Sequence, residues 1–289
     1  MSSASASPTL DLDDQLRAQA TRLETPCGDG HVTWHRWGPA DGGGKPALVL
    51  FHGGSGSWTH WVRNIGPFSA TGRQVLVPDL PGFGDSAKPP KGSDADAVAP
   101  VLAQGLQELL QGVPCDLVGF SFGGMTAGLM AAGAPSLVAR LVVVGAPALG
   151  LANRRTVVLH PWRHLKDEAE REEVHRFNLA SLMVYHPETI DALALKTHTA
   201  NVVRDRMLGR RLAYTDVLKQ ALLKLTCPVH AIYGAEDALY RGRTDVLEAA
   251  LNEMPAFREL TLIPGAGHWV QYEAAEAFNA SLLAALAAD

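Results

Sequence analysis

The chain has 289 residues, 47% of them hydrophobic and 19% charged, with a formal net charge of −5. That is enough apolar material for one sizeable core, and it leaves no large basic surface for nucleic acid or an anionic membrane. Cys27, Cys115 and Cys227 are far apart and form no C-x-x-C pair, so reduced thiols are expected in place of a disulfide framework.

The N-terminal stretch MSSASASPTLDLDDQL has neither a basic start nor an apolar run, so it does not read as a secretory signal. Small polar residues followed by acids predict a frayed tail and a short helix, with residues 1–25 outside the main domain. No apolar run approaches the length of a membrane span. A soluble, cytoplasmic protein is the expectation.

DGGGK (41–45) lacks the G-K-[ST] ending of a phosphate loop and precedes a strand, so a hairpin turn is expected there. Strands are predicted at 46–54, 73–82, 115–121, 140–148, 228–237 and 258–268, each an apolar run ending in a glycine, proline or acidic turn. Helices are predicted between them at 57–70, 94–111, 122–133, 243–254 and 271–287. Near-continuous Val/Leu/Ile strands alternating with such helices predict an α/β fold around a mostly parallel, twisted sheet covered on both faces.

One interval breaks this rhythm. From 149 to 225 no strand signal occurs and the sequence becomes charged and helical, which predicts an insertion between core segments 26–148 and 226–289. An insertion there sits above the carboxyl ends of the strands, where open α/β sheets bind ligands. Its histidines His160, His164 and His175 lie among acids without an H-E-x-x-H pattern. A solvated helix face is the reading, and no metal is expected.

GFSFGG (119–124) sets Ser121 between a predicted strand and a predicted helix, with glycines at the positions where backbone would crowd backbone. A serine becomes a nucleophile when a base takes its proton and an acid orients the base. YGAEDALY supplies Asp237, with Glu236 as a rival neighbour, and GAGHWVQYE supplies His268. The Phe122 backbone N–H, at a helix start, is a candidate oxyanion donor. Gly54 in FHGGSGSW is the candidate for the second, with Ser55 the alternative. Trp58 and Trp61 read as core, whereas Phe120, Ser55 and Trp269 are candidate pocket residues.

HGGSGSW, PDLPGFGDS, GFSFGG and GAEDAL…GAGHW occur in this order, and from about residue 30 onward the chain resembles the α/β-hydrolase superfamily. The resemblance implies the α/β-hydrolase fold with a helical cap at 149–225, and a nucleophile, acid and base at Ser121, Asp237 and His268. It also implies that Asp79 is structural. The expected partner is a small-molecule substrate, with no cofactor; a homo-oligomer is compatible with the sequence. Haloalkane dehalogenases and epoxide hydrolases need a carboxylate where this chain has Ser121. A carboxylic ester hydrolase, extending to thioesters or lactones, is therefore the leading reading. The alternatives are a carbon–carbon bond hydrolase of ring-fission products, which also carries His followed by Trp but typically has Asn where Phe120 stands, and a hydrolase-like receptor.

Overall fold

A computed structural model describes residues 11–151 and 157–288. Its strands are β1 (Thr21–Cys27), β2 (Gly30–Trp37), β3 (Leu48–Phe51), β4 (Val75–Pro78), β5 (Cys115–Phe120), β6 (Val138–Val144), β7 (Val229–Gly234) and β8 (Phe257–Ile263). They form one sheet in the order β1-β2-β4-β3-β5-β6-β7-β8. The β1–β2 and β2–β4 pairings are antiparallel and all the others are parallel. The helices are α1 (Leu12–Gln19), α2 (Ile65–Ser69), α3 (Ala95–Leu109), α4 (Phe122–Gly133), α5 (Glu168–Asn178), α6 (Ala192–Val202), α7 (Val217–Leu222), α8 (Thr244–Asn252), α9 (Val270–Glu273) and α10 (Ala275–Ala287).

The apolar runs follow from burial on both faces of the sheet. In β3, Val49 and Phe51 join a core with Leu117, Leu141 and Val143, which is covered by α3, α4, α7 and α8. Leu48 and Leu50 point the other way, into a core with Val118, Phe120, Val142 and Ile232, covered by α2, α9 and α10. Successive side chains on a strand alternate between faces, so a strand with two dry faces has no polar positions.

Two expectations are corrected. Residues 1–25, expected to lie outside the main domain, include most of Thr21–Cys27, which form β1 of the sheet in an antiparallel hairpin with β2 that turns at Gly28 with φ +56°. DGGGK is not a hairpin turn, because β2 pairs with β4 and not with β3. Gly42–Gly44 form a short 3₁₀ turn that delivers the chain to β3 on the far side of β4. Between β6 and β7 the described residues form α5, a π-turn at Leu179–Met183, α6, α7 and short turns, without a strand.

The junction of β5 and α4 leaves no room for a side chain at either of two glycines. A Cβ at Gly119 would lie 2.4 Å from the Gly123 carbonyl oxygen, and one at Gly123 would lie 2.4 Å from the oxygen of His52 and 2.5 Å from that of Phe51. These are backbone atoms and cannot swing aside. Gly123→Ala is expected to lower Tm by about 5–10 °C, the effect of roughly 2–3 kcal/mol of overpacking. Gly133→Ala, at the open end of α4 with no atom within 4 Å of the new Cβ, should leave Tm unchanged or raise it. Equal melting temperatures for Gly123→Ala and the parent protein would refute this account of the turn.

Candidate active site

Ser121 occupies the turn between β5 and α4 at φ 52° and ψ −115°, a left-handed backbone that non-glycine residues rarely adopt. Its N–H is held by the Val144 carbonyl at 2.7 Å. Asp237 follows the end of β7 and His268 follows β8. These two loops approach closely because Gly234 has no side chain: a Cβ there would meet the Ala266 and Gly267 carbonyl oxygens at 2.2 Å.

Three distant segments thereby meet. His268 Nε2 lies 3.0 Å from Ser121 Oγ, and His268 Nδ1 lies 2.9 Å from Asp237 Oδ2. Asp237 is wholly buried, and its Oδ1 accepts the Leu239 N–H at 2.8 Å. Its neighbour Glu236 is half-buried and stands outside this chain of contacts. A buried carboxylate paired with an imidazole favours the tautomer that carries hydrogen on Nδ1, which leaves Nε2 free to accept a proton from the hydroxyl.

Gly54, Ser55, Phe120, Ser121, Phe122 and His268 line a cavity of about 520 Å³. Phe122 is the first residue of α4, so its N–H has no carbonyl within the helix to bond. The other side of the cavity is formed by the interval between β6 and β7, through Leu159, Leu182, Met183 and Tyr214. The Phe120 ring packs against the imidazoles of His268 (centroids 5.0 Å apart) and His60 (5.6 Å).

Trp269 departs from expectation. Its ring is buried, stacks on Tyr272 with centroids 4.1 Å apart, and donates its indole N–H to the His60 carbonyl at 3.0 Å. It is a packing residue beneath the loop and not a pocket wall. The Ser55 side chain is also engaged, donating to Asp205 Oδ2 at 2.6 Å. Nothing in the sequence around Asp205 or Arg210 pointed to the site, yet Arg210 lines the same cavity. Asp79 is buried and accepts the backbone N–H groups of Trp58 (3.0 Å) and Asp85 (2.8 Å), a structural role.

Residues 46–275 match the family model of the alpha/beta hydrolase fold. The chain belongs to the α/β-hydrolase fold family. It is 28% identical over 261 residues to a 2-hydroxy-6-oxononadienedioate/2-hydroxy-6-oxononatrienedioate hydrolase of Pseudomonas sp, covering 85% of this chain and 89% of that protein. It is 31% identical over 263 residues to the hydrolase of the same name from Burkholderia vietnamiensis (strain G4 / LMG 22486), covering 84% and 87%. Among solved structures, an esterase from Rhodococcus sp. ECU1013 matches with a TM-score of 0.73 at 21% identity, over 92% of this chain and 98% of that one, a likeness of fold. Among the described residues of this α/β hydrolase, no helix is long and apolar enough to cross a membrane.

Two further imidazoles are held neutral by burial. His52 Nδ1–H donates to the Gly53 carbonyl at 2.7 Å, and Nε2 accepts the Leu80 N–H at 2.8 Å, so the neutral ring is fully used. Burial lowers its pKa to about 4. His198, on α6, is lowered to about 4 by burial and then by His175. A histidine that is neutral when folded but titrates near 6.5 when unfolded contributes stability above about pH 6.5, and that contribution is lost as pH falls towards about 4. Tm is therefore expected to fall between pH 7 and 4.5. His198→Gln should flatten this slope by up to about one proton. An unchanged slope in that variant would show that His198 does not contribute.

Proposed function

We propose that this α/β hydrolase cleaves a small carboxylic ester, thioester or lactone through an acyl-enzyme. The observation that carries the reading is the continuous contact from Asp237 through His268 to Ser121, at 2.9 and 3.0 Å, opening on the cavity. Ser121 Oγ attacks the carbonyl carbon as His268 Nε2 takes its proton, and Asp237 stabilises the imidazolium that forms. The oxyanion is held by the N–H groups of Phe122 and Gly54. His268 then protonates the leaving alkoxide or thiolate, and water repeats the sequence to release the acid. The interval 149–225 acts as the cap, and its apolar wall of Leu159, Leu182 and Met183 supports an apolar acyl or alcohol group.

Carbon–carbon bond hydrolysis is the second reading, favoured by the names of the two relatives. Its leaving group is a carbanion equivalent, so polar groups are needed to hold the substrate while it tautomerises. Phe120 brings no such group beside the nucleophile, and the Trp269 indole N–H is already bonded. Both facts weigh towards the ester.

Fluorophosphonate treatment should give a single adduct by intact mass, absent from Ser121→Ala. Asp237→Asn should keep the fold and lower kcat by about 10⁴-fold, with Glu236→Gln mild. Aryl-ester kcat/KM should exceed that for a vinylogous 1,5-diketone ring-fission product. Labelling that survives in Ser121→Ala defeats the nucleophile, and a clear diketone preference defeats the ester.

A further inference from the structure

The loop that carries Gly54 is held by a part of the molecule far away in sequence. Ser55, the next residue, sits at φ 52°. An L-residue in that region is strained, so something outside the loop has to fix it there. Its hydroxyl donates to Asp205 Oδ2 at 2.6 Å. Asp205 Oδ1 accepts the Met207 N–H at 2.9 Å, and Arg210 grips both carboxylate oxygens at 3.0 Å each. The carboxylate is 9% exposed and each of its oxygens has two donors. Arg210 in turn lies over the Phe122 ring, 5.5 Å from its centroid, and its Nη2 is 3.5 Å from the point a Gly54 Cβ would occupy. The cluster thus touches both residues proposed as oxyanion donors.

We propose that Ser55 and Asp205 are a positioning pair that fixes the Gly54 N–H in the oxyanion hole, by clasping the left-handed Ser55 backbone to the segment between α6 and α7. The inference rests on the acyl-enzyme reading. A peptide N–H turns with the backbone on either side of it, so release of Ser55 reorients the donor one residue away. Neither side chain needs to touch the substrate. Removing an oxyanion donor altogether costs about 10²–10³ in kcat, so misdirecting one should cost about 10–100-fold.

Ser55→Ala and Asp205→Asn are measured with an aryl ester and with an aryl trifluoromethyl ketone, whose hemiketal oxyanion occupies the hole. Both variants are expected to lose kcat by about 10–100-fold with KM within about twofold, and the ketone Ki should rise in proportion to the loss of kcat/KM. Ser55→Gly adopts positive φ without strain and should recover part of the activity that Ser55→Ala loses. Arg204→Ala removes the ion pair to Asp85 on the same segment without touching Ser55, and should keep the parental kcat. Parental kcat in Ser55→Ala overturns the clasp. So does a loss of kcat with an unchanged ketone Ki, or an equal loss in Arg204→Ala. A parent protein that turns over no ester and binds no ketone overturns the acyl-enzyme reading itself.

Discussion

The site exists because backbone can press against backbone at the carboxyl ends of the central strands. At Gly119 and Gly123 the turn before α4 has no room for a single carbon, and at Gly124 a Cβ would meet the Ala146 Cβ at 2.7 Å. Gly234 lets the Asp237 loop lie on the His268 loop in the same way. The imidazole is pinned on another side, since a Cβ at Gly145 would come within 3.2 Å of both Asp237 Oδ2 and His268 Nδ1. The distances of 2.9 and 3.0 Å from Asp237 through His268 to Ser121 are thus a consequence of main-chain packing. Close-packed interiors hold position to fractions of an ångström in a way that mobile side chains do not.

Such a core also has to hold charge out of water, which is costly unless every lone pair has a donor. Asp237 meets that condition with Leu239 N–H and His268, and Asp79 meets it with the N–H groups of Trp58 and Asp85. Asp79 thereby joins the loop after β3 to the loop after β4, and its Cγ fills the space that a side chain at Gly84 would need. At the opposite end of the sheet, buried Asp116 pairs with Arg73 at 2.5 Å and with Arg140 at 3.3 Å. These carboxylates register loops and strand ends with a directionality that apolar contact lacks. The cysteines play no comparable part: all three are unpaired, and burial pushes the Cys115 thiol up to about 12.

What could be read in the sequence was what local pattern encodes. The six strands from β3 to β8 announced themselves because two dry faces leave unbroken apolar runs, and Ser121, Asp237 and His268 because their loops carry glycine in recognisable order. β1 and β2 did not. TRLETPC is mostly exposed, and GHVTWHRW mixes histidine, threonine and arginine with its apolar residues, so neither shows a clean period. Trp269 misled because adjacency to His268 says nothing about where an indole points, and its N–H was taken by His60 from across the loop. Asp205 and Arg210 were invisible for a deeper reason. The partner that ties Asp205 and its neighbour Arg210 to the site is Ser55, 150 residues from Asp205, and no spacing rule connects them.

The same long-range chemistry ties the helical interval to the core beside the loops of Gly54 and His268. Next to Gly54 the tie is Asp205. Next to His268 it is Glu273, whose carboxylate accepts the N–H groups of Tyr185 (2.9 Å) and His186 (2.8 Å) from that interval and of Gly267 (2.6 Å) from the base loop. The Trp269 backbone N–H adds a bond to the Met183 carbonyl at 2.6 Å. Hydrogen bonds to charged groups contribute about 1.5–3 kcal/mol each. Lifting the interval as a rigid lid would therefore break several of them together, and would drag on the loops that carry Gly54 and His268. A roof fastened at those points shares its fate with the loops of His268 and Gly54, so sequence change in the roof can reshape the wall at Leu159 or Leu182 freely only where it spares Asp205 and the backbone at Met183, Tyr185 and His186.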